Sequence, residues 1–73
     1  MQGKEEILRR FGQRLTLIRK SKQISVRELA RQTNIEYSKL LEIEAGKVNI
    51  LYTTLLSLAL ALEIDPEELL QSL

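Results

Sequence analysis

The side chains able to do chemistry in this chain are acids, bases and a few hydroxyls: 11 Lys and Arg, 10 Asp and Glu, no histidine and no cysteine. Without Cys or His there is no disulfide framework, no thiolate or imidazole metal site, and no Ser/His or Cys/His nucleophile pair. Glutamate pairs could serve as acid and base, yet no nucleophile or cleft-forming segment accompanies them. An enzyme is therefore not expected, nor a metal or cofactor. The charges divide along the chain. Residues 1–39 carry Lys4, Arg9, Arg10, Arg14, Arg19, Lys20, Lys22, Arg27, Arg31 and Lys39 against Glu5, Glu6, Glu28 and Glu36, a net +6. Residues 40–73 carry Lys47 against Glu42, Glu44, Glu63, Asp65, Glu67 and Glu68, a net −5, which restores the overall +1. A basic half beside an acidic half points to a surface that meets a polyanion. The plainer alternative is charge dispersed over solvated helix faces.

These groups need a scaffold, and 73 residues with 44% hydrophobic content supply one small domain spanning 1–73. A core of this size is marginal, so idealised helix packing or a partner subunit is expected to support it. The longest run free of charge, Val48 to Leu62, has 15 residues, short of the ~20 that cross a bilayer. The N-terminal MQGKEEILRR lacks a signal peptide's apolar segment. The expectation is a cytoplasmic protein without membrane contact.

The apolar spacing predicts five short helices. Ile7, Leu8, Phe11, Leu15 and Ile18 form a stripe on a first helix over 4–21. Ser25 and Glu28 have capping-box spacing, with Ser25 accepting from the Glu28 amide and Glu28 reaching back, while Ile24 and Leu29 stand at the positions of a hydrophobic staple. A second helix therefore starts at Ser25 and runs to about Gln32. Asn34 suits a left-handed turn. Tyr37 to Ala45 forms a third helix with Leu40 and Ile43 inward, ended by Gly46 with Lys47 beside the last carbonyls. Tyr52 to Leu62 is a fourth, and Asp65-Pro66-Glu67-Glu68 opens a fifth. Two helices of this length joined by a three- or four-residue turn have the dimensions of a helix-turn-helix, here about 25–45.

The residues themselves then resemble a family. SVRELARQTNIEYSKLLEIEAGK, from Ser25 to Lys47, is similar to the DNA-binding domain of the lambda-repressor and Cro-like (XRE) family, whose pattern resembles S-Q-x-E-L-A-x-x-x-G-V-S-x-x-x-I-x-x-I-E-x-G-K. Thr54 to Leu62 looks like the family's fourth helix, so the likeness covers roughly residues 8–70. It implies an all-α, five-helix fold whose third helix enters the major groove, with Glu36, Tyr37 and Ser38 at base edges and Glu42 one turn further on. Ser38 can donate or accept, and Tyr37 can donate or lie against a thymine methyl. Lys39 and Lys47 are placed for phosphate, as are Ser25 and the amides that open the second helix. The loop from Lys47 to Asn49 flanks the groove, and Arg14, Arg27 and Arg31 extend the basic surface or remain solvated. Arg19 and Glu44 match a family ion pair that ties the first helix to the end of the third. Ala30 is small where the second and third helices cross.

Departures from the pattern are also legible. Val26 stands where a glutamine commonly contacts phosphate and supports a base-reading residue. Glu36 replaces a Ser or Thr cap, Ala45 a polar residue, and Glu42 brings negative charge to the groove unless it accepts from cytosine. Modest affinity or an unusual sequence preference is expected. Helix four carries more leucines than one core stripe needs. Leu51, Leu56 and Leu60, with Leu69, Leu70 and Leu73 of helix five, form a second face expected to pair two copies. A two-fold dimer on double-stranded DNA would read a palindromic site with its recognition helices ~34 Å apart. The resemblance extends to single-domain restriction-modification controllers and Cro-type repressors of bacteria and phage. The competing expectation is a protein-interaction or antitoxin-type module of the same fold.

Overall fold

A computed structural model describes residues 3–71. Its helices fall where the apolar spacing places them: α1 (Lys4–Ser21), α2 (Val26–Thr33), α3 (Tyr37–Glu44), α4 (Tyr52–Leu62) and α5 (Pro66–Leu69). No strand occurs among the described residues. The core is built from Phe11, Leu15 and Ile18 of α1, Leu29 and Ala30 of α2, Leu40 and Ile43 of α3, Leu55, Leu58, Ala59 and Leu62 of α4, and Leu69. Leu15, Leu29, Leu40, Ile43, Leu58, Leu62 and Leu69 are fully buried. Each such side chain contributes about 1.5–3 kcal/mol of transfer free energy.

Three expectations are corrected. Ile7 lies one turn before the buried part of the α1 stripe and remains 38% exposed. It lines a shallow apolar groove of about 170 Å³ with Val48, Leu51 and Tyr52 rather than entering the core. Leu69, expected on an outer, self-associating face, is fully buried. With a single turn, α5 has one side chain to dock it, and Leu69 is that side chain. The turn is held from outside by Arg14, which donates to the Glu68 carbonyl at 2.8 Å and to Gln71 Oε1 at 2.9 Å. Leu73 lies outside the described residues.

The capping box expected at α2 is only half formed. Ser25 Oγ accepts from the Glu28 amide at 3.0 Å as expected, but the Glu28 carboxylate does not return to Ser25. It accepts from Arg31, through Nη2 and at 3.2 Å through Nε, and from Gln32 Nε2 at 2.8 Å. Bonds from a guanidinium are stronger than one from a neutral amide, so the cation one turn on captures the carboxylate. The returning half of a box occurs instead at α5, where the Asp65 amide donates to Glu68 Oε2 at 3.3 Å.

Four helices end alike. Gln23, Asn34, Gly46 and Glu63 adopt the left-handed conformation with φ of 59°, 59°, 75° and 58°. The following amides return five residues back: Ile24 to the Arg19 carbonyl (3.2 Å), Ile35 to Ala30 (3.1 Å), Lys47 to Glu42 (2.9 Å) and Ile64 to Ala59 (3.0 Å). This is the Schellman arrangement, and Ile24, Ile35 and Ile64 supply its apolar contact by packing on the core. Only Asn34 and Gly46 are legible as left-handed positions from residue type. Gln23 and Glu63 carry no such mark.

Candidate nucleic-acid interface

The C-terminal end of α3 is locked against α1. Arg19 donates from Nε to Glu44 Oε2 at 2.6 Å and from Nη2 to Oε1 at 3.0 Å, and its Nη1 donates to the Ile24 carbonyl at 2.9 Å. The paired side chains are each only 10% exposed. Thr16 Oγ1 lies 2.9 Å from both Glu44 Oε1 and the Gly12 carbonyl, so the carboxylate is bonded on both oxygens. The backbones meet at Gly12, where an added Cβ would run into the Glu44 carbonyl oxygen and stand 2.8 Å from the Ile43 carbonyl oxygen. Gly46 closes the same corner. Its positive φ requires a residue without Cβ strain, and a Cβ there would lie 2.6 Å from the Arg9 Cα.

The N-terminal end of α3 is open. Glu36 occupies the N-cap position without a side-chain cap bond, although its carbonyl accepts the first helical bond from Leu40 at 2.9 Å. Glu36, Tyr37, Ser38 and Lys39 are all exposed, and Glu42 follows one turn on. With Leu40 and Ile43 buried, the outward face carries Tyr37, Ser38, Leu41, Glu42 and Ala45. Leu41 is 42% exposed and is not among the residues that the motif marks. Its spacing against Leu40 and Ile43 could have placed it on this face, where an apolar side chain can meet a thymine methyl.

The remaining site residues surround this face. Ser25 is exposed at the start of α2, and Val26 is half-buried against the core, so its side chain supports packing rather than reaching outward. The Arg27 guanidinium lies over the Tyr37 ring, 4.3 Å from its centroid, a cation–π contact joining the first turn of α2 to the first residue of α3. Lys47 and Asn49 are exposed in the loop after α3, where Asn49 Oδ1 accepts from the Ile50 amide at 3.0 Å. Leu51, Leu56 and Leu60 are exposed by 73%, 37% and 80%, with Tyr52 beside them at 73%.

The basic half of the chain is less free than its formal charge suggests. Arg9 and Arg10 both pair with Glu6, Arg19 with Glu44, and Arg31 with Glu28. Hydrogen bonds from Arg9 and then Arg10 hold the Glu6 carboxyl below its ordinary range, and Arg31, followed by Gln32, does the same to Glu28. The Glu28 carboxylate in turn raises the Arg31 guanidinium. Arg27 has no carboxylate partner among the described residues.

A profile of the helix-turn-helix domain family matches residues 12–72, and the chain belongs to this XRE-type family, whose fold is that of DNA-binding transcription regulators. The restriction-modification controller protein C.AhdI from Aeromonas hydrophila is 39% identical, with a TM-score of 0.83 over 85% of this chain and 94% of that one. The clp gene regulator ClgR from C. glutamicum is 26% identical, with a TM-score of 0.82 over 90% of each chain. An HTH_3 family transcriptional regulator from Vibrio cholerae shares the fold at 23% identity, with a TM-score of 0.88 over 94% of this chain and 39% of that one. Curated protein sequences returned no significant match. No helix among the described residues is long and apolar enough to cross a membrane.

Proposed function

We propose that residues 1–73 act as one sequence-specific DNA-binding transcription regulator, working in the cytoplasm as a homodimer on a palindromic or pseudo-palindromic operator. The observation that carries this reading is the asymmetry of α3: its C-terminal end is fixed to α1 through Arg19 and Glu44, while Tyr37, Ser38 and Lys39 stand exposed at its start. Tyr37 and Ser38 meet base edges, and Lys39 and Lys47 meet phosphates, which position the protein without specifying sequence. Ser25 and the first amides of α2 take a further phosphate. The 39% identity to C.AhdI over nearly all of that controller supports a controller role, in which the regulator's own concentration sets its occupancy.

Two copies join through the exposed side chains Leu51, Tyr52, Leu56, Leu60 and Leu70, an apolar concentration unusual on a small monomer. Selection from a random duplex pool tests both parts. A palindromic consensus is the expected result, and no enrichment would overturn the regulator reading. Monomer alone in sedimentation at micromolar concentration would overturn the dimer. Lys39→Ala should weaken every sequence alike and shallow the salt dependence of binding by about one unit.

A second reading, a protein-interaction or antitoxin-type module, draws on Glu36, Leu41 and Glu42, acidic and apolar side chains exposed on the same face. It predicts an affinity for duplex DNA that hardly falls with salt.

A further inference from the structure

The cation–π contact of Arg27 over Tyr37 joins the start of α2 to the start of α3. Arg27 sits in the first turn of α2, yet its guanidinium centre is 4.3 Å from the centroid of the Tyr37 ring, at the start of α3. A guanidinium laid on an aromatic face loses water from that face but keeps its N–H donors directed outward in its own plane. Those donors are uncommitted. Arg9, Arg10, Arg19 and Arg31 are ion-paired, and Arg14 is bonded to Glu68 and Gln71. Arg27 has only the ring among the described residues. Glu36 adjoins Tyr37 but forms no ion pair with Arg27 among the described residues.

We propose that Arg27 is a specificity-determining residue, held flat by Tyr37 so that its planar fork reads a guanine at the edge of the site contacted by α3. The proposal rests on the DNA-binding reading above. Guanine is the base that presents two acceptors, N7 and O6, to a bidentate guanidinium in the major groove. The half-buried Val26 cannot hydrogen-bond to support a base-reading residue, and the ring of Tyr37 supplies that support by stacking. Tyr37 is thereby the positioning residue of the pair, because its ring orients the fork whatever its hydroxyl contacts.

The test repeats the random-duplex selection with Arg27→Lys, Tyr37→Phe, Tyr37→Leu and the Arg27→Lys/Tyr37→Leu double variant, with thermal midpoints measured on each. Both positions are exposed, so the midpoints should stay close to that of the parent. The parent and Tyr37→Phe should share a consensus guanine. Arg27→Lys, which keeps the charge but loses the fork, should reduce preference for that guanine about 10- to 100-fold. Tyr37→Leu should reduce it comparably, and the double variant should lose no more at that base than either single one. A guanine preference unchanged in Arg27→Lys, a uniform weakening on all sequences, or strictly additive losses would overturn the proposal and leave Arg27 a phosphate contact. Absence of any consensus with the parent chain would overturn the regulator reading and this inference together.

Discussion

The two ends of α3 are built on opposite terms. At its C-terminus, an ion pair with side chains 10% exposed, a hydroxyl on the same carboxylate and a backbone contact that admits only glycine fix the helix to α1. At its N-terminus no side chain caps the helix, and the first residues are exposed, with one stacking contact from α2. Polar groups with internal partners hold orientation, and groups without them remain for a ligand. A short helix can therefore be rigidly aimed while its other end stays unencumbered.

Breaking the locked end should produce the largest effect. Arg19→Ala leaves the Glu44 carboxylate desolvated without its cation, and should lower unfolding free energy by about 3 kcal/mol. Lys20→Ala, at an exposed neighbour, should change it by less than ~0.5 kcal/mol; equal urea midpoints for the two variants would remove the ion pair from its anchoring role. Gly12→Ala comes next. Forcing a methyl against the Glu44 carbonyl should cost about 2 kcal/mol in the same measurement, whereas full stability would mean that α1 and α3 separate freely. The smallest change concerns the open end and has the opposite sign. Glu36→Ser supplies a hydroxyl to accept from the Lys39 amide and should stabilise by about 0.5–1 kcal/mol. No gain would show that this end is already satisfied.

Much of the fold can be read from the chain because helix periodicity is a local property. The stripe of Phe11, Leu15 and Ile18, the turn residue Asn34 and the stop at Gly46 each announce themselves within a few positions. What escapes reading depends on a neighbour distant in sequence. Gly12 looks like an idle glycine within a helix until the Glu44 carbonyl is placed above it. Leu69 looks like an outward leucine until α5 proves to be one turn long. Glu28 has the spacing to return to Ser25, but Arg31 and Gln32 outcompete the amide. The candidate site divides similarly. Ser25, Tyr37, Ser38 and Lys39 follow from the motif, while the cation–π contact that distinguishes Arg27 from the other arginines depends on how α2 and α3 cross.

Under the proposed function, the internal pairing of arginines has a consequence for how quickly an operator is found. Attraction to DNA of any sequence grows with the number of phosphates a protein neutralises. The Arg19 guanidinium, buried against Glu44, is withdrawn from that number, and those beside Glu6 and Glu28 must give up an exposed pair to join it. Under the proposed function, a regulator built in this way would spend less time held on DNA other than its operator.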